Sequence, residues 1–201
     1  MAGVPFVGLT GGLGAGKSEA LRALGELGAA TLSTDAVVHE LLATDELHDI
    51  VVARLGEGVA RDGALDRSLI AERVFADEEA REWLEAELWP RVGRRVFEWK
   101  QEVDALDPSP RAAVVEVPLL FESGMEQAFD ATIAVVADEA VRAERAAARG
   151  HASVAERTRR QLTQEEKAQR ADYEVRNEGS LEELRENLSR VLARLVDTPP
   201  P

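Results

Sequence analysis

One eight-residue run near the start of the chain constrains the fold more than any other feature. Residues 11–18 have the sequence G-G-L-G-A-G-K-S and match the pattern G-x-x-x-x-G-K-[ST] at every fixed position. The apolar run at residues 4–9 predicts a strand before it, and the leucine spacing in residues 17–27 predicts a helix after it, ending at Gly28. A strand, a glycine-rich loop and a helix in this order are typical of a phosphate-binding loop in an α/β protein.

Each residue type in the loop has a physical reason. Glycines leave room for the backbone to wrap phosphate groups with its N–H groups directed inward. Lys17 offers a positive charge to the β- and γ-phosphates, and Ser18 offers a hydroxyl to Mg²⁺. The alternative, a glycine-rich turn that precedes a lysine by chance, does not explain the flanking strand and helix. The loop therefore predicts ATP or GTP binding and leaves the second substrate open.

Short apolar runs alternate with longer helical patterns along the rest of the chain, which indicates βαβ units and a parallel sheet. Further strands are predicted at residues 29–33, 112–117, 132–137 and 173–176, and the last of them is expected near an edge of the sheet. Together with the first strand they predict an α/β core with a parallel five-stranded sheet.

A long helical block separates the second predicted strand from the third. Residues 35–105 are too many for a simple βαβ crossover, so we predict an inserted helical subdomain with a turn at residues 61–63. Within this block, Leu84 and Leu88 have the spacing of a core-facing helix. Pro90 is expected to kink or end that helix, because proline lacks a backbone N–H.

The most basic part of the chain is residues 141–170. Its basic residues are Arg142, Arg145, Arg149, Arg157, Arg159, Arg160, Lys167 and Arg170. Capping-box patterns at Ser153 with Glu156 and at Thr163 with Glu166 predict two short helices here. A third pattern, beginning at Ser180, opens a last helix with an apolar stripe of Leu181, Leu184, Leu188, Leu192 and Leu195.

Composition excludes several classes of protein. The formal net charge is −14, which disfavours binding to nucleic acid or to an anionic membrane. The chain has no cysteine, so disulfides, thiolate metal sites and a cysteine nucleophile are excluded. No stretch approaches the roughly 20 apolar residues of a membrane span. We expect a cytoplasmic protein with no nucleic-acid or membrane partner; the oligomeric state is left open, with a monomer favoured.

The class of phosphate-binding protein can be narrowed further. A guanine-specific GTPase would need an Asn-Lys-x-Asp motif, and the sequence contains none. The helical insertion and the basic segment favour a small-molecule kinase with an arginine-bearing lid over the phosphates. Two alternatives stay open: a kinase for another metabolite, such as a nucleoside monophosphate, and a non-catalytic nucleotide-sensing or scaffold protein.

The chain resembles the dephospho-coenzyme A kinase family along essentially its whole length. Residues 7–18 are similar to the start of that family, and the similarity continues through Leu27-Gly28, Thr34-Asp35, residues 62–67, P-L-L-F-E at residues 118–122, Gln161, Glu166-Lys167, residues 171–173, Asn177 and Gly179-Ser180. The P-L-L-F-E segment combined with the loop is far more specific than either alone.

The resemblance implies a reaction and an architecture. The reaction is transfer of the γ-phosphoryl group of ATP, with Mg²⁺, to the ribose 3′-hydroxyl of dephospho-coenzyme A, the last step of coenzyme A biosynthesis. The architecture is a single P-loop kinase domain over residues 1–201. It is expected to contain a helical acceptor-binding insertion at residues 35–107 and a short helical lid at residues 146–172.

The resemblance also implies a set of site residues. Asp35 is expected to accept or orient the hydroxyl proton, Lys17 and Arg149 to contact the phosphates during catalysis, and Ser18 to bind the metal. The expected nucleotide-binding residues are Gly12, Gly14, Ala15, Gly16, Lys17, Ser18, Glu19 and Asn177. The Glu19 side chain is expected to point away from the phosphates.

Each of these roles has a structural alternative. Asp35 is alternatively the N-cap of the helix that follows, and Arg149 part of a solvated basic helix face. Glu122 is either an acceptor-site or Mg²⁺-linked carboxylate or a structural residue. Asn177 either contacts the adenosine or is a turn residue before Gly179.

Three residues depart from the family pattern. Ser33 stands where the first aspartate of an Asp-x-Asp pair is common, so Asp35 is the one carboxylate of that pair expected here. Trp89 stands where a histidine commonly precedes the proline, which suggests that the histidine is not essential to the chemistry. Glu19 replaces a common threonine.

Overall fold

The computed structural model, which describes residues 3–148 and 161–197, contains a five-stranded parallel sheet. In chain order the strands are β1 (Phe6–Gly11), β2 (Ala30–Ser33), β3 (Ala60–Arg61), β4 (Ala64–Leu65), β5 (Ala113–Glu116), β6 (Ala131–Val136) and β7 (Tyr173–Arg176). The helices are α1 (Lys17–Glu26), α2 (Thr34–Leu42), α3 (Asp45–Leu55), α4 (Arg67–Ala76), α5 (Glu78–Asp104), α6 (Glu139–Ala148), α7 (Gln164–Arg170) and α8 (Leu181–Asp197). The strand order in the sheet is β2-β5-β1-β6-β7, so the predicted α/β class is confirmed and β7 lies at an edge as expected.

All five strands run in the same direction, so their carboxyl ends lie together along one side of the sheet, which is the ligand-binding edge of an open parallel sheet. Every residue of β5 and β6 is buried, which suits strands covered on both faces. Helices α1 and α8 contribute to the same apolar core, in which Leu24, Leu188 and Leu192 are fully buried. Because β1 is central and leads directly into the glycine loop, the loop lies at the edge where open parallel sheets bind ligands.

The chain divides into two compact units. The core unit comprises Met1–Ser33 and Lys100–Pro201 as far as these are described, and it contains the sheet. The helical unit is Thr34–Trp99 and has an apolar cluster of its own, which includes Leu47 and Val51. The predicted acceptor-binding insertion at residues 35–107 overlaps the helical unit, and its acceptor role stays a prediction.

A tight hairpin interrupts the helices of the helical unit. Strands β3 and β4 pair antiparallel, and the turn between them has Asp62 at φ 53° and Gly63 at φ 80°. Two successive residues of positive φ are typical of the turn that matches the twist of a two-residue hairpin. The turn predicted at residues 61–63 is therefore confirmed, and its glycine is required by the backbone.

Helix α5 is continuous over 27 residues and includes Pro90. Of the two predicted effects of Pro90, an end of the helix is therefore wrong, and a kink stays a prediction. The missing N–H of Pro90 leaves the Ala86 carbonyl without its helical donor, and the guanidinium of Arg91 donates to the next carbonyl along, that of Glu87, at 2.8 Å. Leu88 before the proline and Val92 after it are both buried, so packing maintains the helix across the break in its hydrogen bonding. Neither α5 nor any other helix among the described residues has the apolar length to cross a membrane.

Several element boundaries differ from the sequence prediction by one or two residues, and β1 and α8 show a physical reason. Strand β1 extends to Gly11, and a Cβ at this residue would lie 2.3 Å from the Val135 carbonyl oxygen. Residue 11 is therefore glycine because β6 approaches so closely. Leu181 is 59% exposed as the first residue of α8, so the buried stripe of that helix begins at Leu184.

Candidate active site

The loop between β1 and α1 depends on glycine at two positions. Gly14 has φ 76° and Gly16 has φ 95°, a region that side chains disfavour. A Cβ at Gly14 would lie 2.6 Å from the carbonyl oxygen of Arg142, and one at Gly16 would lie 2.1 Å from Nδ2 of Asn177. Both glycines are therefore required by the backbone conformation and by a close neighbour.

The helix that follows the loop begins with a positively charged residue. Lys17 is the first residue of α1, and its Nζ donates to the carbonyl oxygens of Gly11 and Gly12, each at 3.2 Å. Ser18 follows and is exposed. The first turn of α1 adds N–H groups and the positive end of the helix dipole. Backbone donors, an ammonium group and a hydroxyl are thus brought together where the sequence predicted them.

A side chain that is far from the loop in sequence donates a hydrogen bond to the loop backbone. Asn177 directly follows β7 and is 4% exposed, and its Nδ2 donates to the carbonyl of Ala15 at 2.8 Å. The backbone carbonyl of Asn177 accepts a hydrogen bond from Nη1 of Arg145 at 3.1 Å. The side-chain amide therefore supports the phosphate-binding loop, and contact with the adenosine stays a prediction.

Helix α6 makes a second contact with the loop. Nε of Arg142 donates to the carbonyl of Leu13 at 3.0 Å, and its guanidinium lies 3.3 Å from where a Cβ on Gly12 would be. These three residues line a cleft of about 320 Å³ together with Glu165. A hydrogen bond from Gln164 lowers the pKa of Glu165, and the positive charge of Arg142 adds a smaller effect. The cleft thus combines an anion-binding loop with charges of both signs.

Glu122, the last residue of the P-L-L-F-E segment, has structural partners. Its Oε1 lies 3.0 Å from Nζ of Lys167 and accepts from the backbone N–H of Leu162 at 2.9 Å. Lys167 is fully buried and also donates to the Pro118 carbonyl at 2.6 Å. Burial lowers the pKa of Lys167, while Glu122 opposes that shift. These contacts favour the structural alternative for Glu122.

One acidic residue near the loop was missed by the sequence analysis. Glu116 is the last residue of β5 and is 5% exposed, and it stands between Leu9 of β1 and Ser33 of β2 in the strand register. Proteins with this type of loop often hold Mg²⁺ with an acidic residue as well as the loop hydroxyl. The sequence did contain a signal that could have identified Glu116. The apolar run at residues 112–115 is followed directly by this carboxylate, at the end of the strand that borders the ligand-binding edge of the sheet.

Two of the predicted acidic site residues lie in first helical turns. Asp35 is exposed and follows Thr34, the first residue of α2, so the N-cap alternative for Asp35 is wrong. A carboxylate in this turn is still favoured by the helix dipole. Glu19 forms an ion pair with Arg22 one turn along α1, with Arg22 Nε 3.1 Å from Glu19 Oε1.

Part of the predicted lid lies outside the described residues. This applies to Arg149, to Arg157, Arg159 and Arg160, and to the first capping box at Ser153 with Glu156. The second capping box is formed at the start of α7, where Thr163 and Glu166 exchange hydrogen bonds. In the third, the Glu183 carboxylate accepts from the Ser180 N–H at 2.7 Å.

Comparison with known proteins gives the family. The family model for dephospho-CoA kinase matches residues 5–183. A dephospho-CoA kinase from Protochlamydia amoebophila is 40% identical over 194 residues, which cover 94% of this chain and 95% of the relative. A crystal structure from Thermus thermophilus has a TM-score of 0.82 at 34% identity and covers 96% of this chain and 99% of that one. The dephospho-CoA kinase from Campylobacter jejuni has a TM-score of 0.70 at 25% identity, with coverages of 95% and 96%. The chain belongs to the dephospho-CoA kinase family.

Proposed function

We propose that this chain is the phosphotransferase that moves the γ-phosphoryl group of ATP to the ribose 3′-hydroxyl of dephospho-CoA, the final step of coenzyme A biosynthesis. The observation that carries the proposal is the loop from β1 to α1, with its two left-handed glycines and Lys17 at the helix start. These features supply a triphosphate site. Family membership supplies the acceptor.

The nucleotide half of the mechanism uses the loop and its cations. The N–H groups of the loop and of the first turn of α1 bind the β- and γ-phosphates. Lys17 neutralises charge that develops on the γ-phosphate oxygens during transfer. Arg149 is assigned a second positive charge on the same oxygens, supplied from the lid.

The residues present fit an Mg²⁺ ion bound together with ATP. Ser18 is exposed in the first turn of α1, where its hydroxyl would be a metal ligand, and the Glu116 carboxylate would hold a metal-bound water. When bound, Mg²⁺ neutralises phosphate oxygens.

Asp35 is assigned to the acceptor hydroxyl. It lies two residues beyond the end of β2, and the carboxyl ends of parallel strands border the ligand-binding edge of such sheets. Its carboxylate accepts or orients the proton of the 3′-hydroxyl. The hydroxyl oxygen then forms a bond to the γ-phosphorus while the bond from that phosphorus to the β–γ bridging oxygen breaks, and ADP leaves with the electron pair.

A panel of acceptors tests the proposed function. The purified chain is incubated with ATP and Mg²⁺, and with dephospho-CoA, a mixture of nucleoside monophosphates, or no acceptor. We expect ADP release above the acceptor-free rate only with dephospho-CoA, and a product heavier by one phosphoryl group. Release with a nucleoside monophosphate instead would favour another metabolite kinase. ATP binding without transfer to any acceptor would favour the nucleotide-sensing alternative.

Location and assembly are also proposals. A cytoplasmic location is supported by the absence of cysteine, which suits a reducing compartment. The net charge of −14 argues against nucleic-acid and anionic-membrane partners. A monomer is the proposed state, and size-exclusion chromatography with light scattering measures it directly.

A further inference from the structure

Arg142 contacts the backbone of the phosphate-binding loop at Leu13 through one specific hydrogen bond. Its Nε donates to the carbonyl of Leu13 at 3.0 Å, and the side chain is half-buried. The backbone of α6 is close to the loop at the same point, since a Cβ on Gly14 would lie 2.6 Å from the Arg142 carbonyl oxygen. The geometry of this contact is therefore fixed on both sides.

This hydrogen bond determines the direction of a neighbouring N–H group. In a planar trans peptide the C=O and the N–H point in opposite directions. The carbonyl of Leu13 and the N–H of Gly14 belong to one peptide unit, so a donor that fixes the Leu13 carbonyl also fixes the Gly14 N–H in the direction away from that donor. Asn177 acts in the same way on the unit of Ala15 and Gly16, through its 2.8 Å hydrogen bond to the Ala15 carbonyl.

The loop needs such external contacts because of its glycines. A glycine has access to many backbone conformations, so the left-handed dihedrals of Gly14 and Gly16 are not fixed by local sterics. A peptide plane that is free to rotate would have to be ordered when phosphate binds, and that ordering lowers affinity. A hydrogen bond already in place removes this cost from the binding step.

We propose that Arg142 is a positioning residue for ATP, which orients the Gly14 N–H toward the phosphates through its Nε donor and not through its charge. The proposal rests on the proposed nucleotide site. It is tested by nucleotide binding alone, so the identity of the acceptor does not affect the outcome. Its distinctive consequence is that a neutral donor at the same position should preserve ATP affinity.

Three substitutions separate the donor from the charge. In Arg142→Gln, Nε2 stands at the same number of bonds from Cα as the arginine Nε, and the charge is lost. Arg142→Lys keeps a charge but has a methylene at that position, and Arg142→Met has neither group. By calorimetry with Mg²⁺-ATP, we expect the Kd to rise about tenfold for Met and Lys and to stay within about threefold for Gln, from the usual value of one hydrogen bond.

A matched control and two clear outcomes complete the test. Arg190→Met removes a guanidinium from α8 that is 70% exposed and paired with Glu186, and it should leave the Kd unchanged. Weak binding by the Gln variant together with normal binding by the Lys variant would overturn the proposal, because charge would then be the property that matters. An equal Kd for all variants would overturn it as well. If the Met variant does not fold, the Gln and Lys variants still decide the question.

Discussion

The phosphate-binding loop of the core unit and the apolar cluster of the helical unit are maintained by different kinds of contact. Around the phosphate-binding loop, single polar contacts fix the backbone, as Asn177 does at Ala15 and Arg142 does at Leu13. The helical unit depends instead on a cluster of buried aliphatic side chains, of which Leu47 is 1% exposed. A hydrogen bond requires one geometry, whereas apolar packing tolerates side chains of similar volume. We therefore expect small polar changes around the loop to reduce activity, and changes of volume in the helical unit to reduce stability.

The largest expected effect is the loss of the loop ammonium. Lys17→Met should lower kcat/KM by about a thousandfold, or about 4 kcal/mol of transition-state stabilisation, because it removes an ammonium charge that stabilises the charge developing on the γ-phosphate oxygens. It should also weaken ATP binding and leave the thermal unfolding midpoint nearly unchanged. Initial rates with varied ATP and a thermal melt measure these effects, with Arg190→Met as the control. A variant with normal kcat/KM would exclude Lys17 from the mechanism.

The second prediction tests the opposite behaviour in the helical unit. Leu47→Ala should lower the free energy of unfolding by about 3 kcal/mol, since it removes buried volume from a closed cluster. The Kd for ATP of the folded variant should change less than about twofold, because Leu47 belongs to the apolar cluster of the helical unit and not to the loop, and changes without shared partners are nearly independent. Denaturant unfolding and calorimetry provide the two measurements. Leu106→Ala is the matched control: Leu106 is 50% exposed, and its loss should cost no more than about 0.5 kcal/mol.

The third prediction concerns Asp35, a proposed catalytic residue that belongs to the helical unit. It is a polar change, so we expect it to reduce activity and not stability, and a loss of stability alone would contradict the comparison. Asp35→Asn keeps the shape of the side chain and removes the basic carboxylate. We expect kcat to fall about a hundredfold, or about 2.7 kcal/mol, with ATP affinity within a few-fold of the original chain. Glu40→Gln on the same helix, also exposed, is the control and should keep normal turnover. Unchanged kcat in the Asn variant would exclude Asp35 as the base.

Local patterns explain how much of this molecule could be predicted from sequence. The loop at residues 11–18 was predictable because its pattern is contiguous and each dihedral demand is met by a glycine within it. The contact of Arg142 with the loop was not, because its partner Leu13 is 129 positions away and no short pattern records the pair. Asn177 was predicted as a nucleotide residue, yet its structural contact with Ala15 has no local signal either.

Tertiary packing also overrode one local rule. Proline disfavours the interior of a helix by about 3 kcal/mol, and on that basis α5 was expected to kink or end at Pro90. Buried Leu88 and Val92 lie on either side of it, and their packing requires the helix to continue. The burial that decides this outcome depends on residues from other helices, which the spacing of residues within α5 does not reveal.

The smallest predicted effect concerns a polar contact to the backbone in the helical unit. We expect this contact to affect stability and not activity. Asp66 is the N-cap of α4, and its Oδ1 accepts from the N–H groups of Ser68 at 2.8 Å and Leu69 at 3.3 Å. Asp66→Ala should lower the free energy of unfolding by about 1 kcal/mol, and Asp66→Asn, which keeps the acceptor, by only a few tenths. Both variants should keep normal kcat once folded, in contrast to changes at Lys17. If instead kcat fell in the Ala and Asn variants equally while both stayed folded, Asp66 would act at the acceptor site, and the family resemblance at residues 62–67 would reflect function and not only this cap.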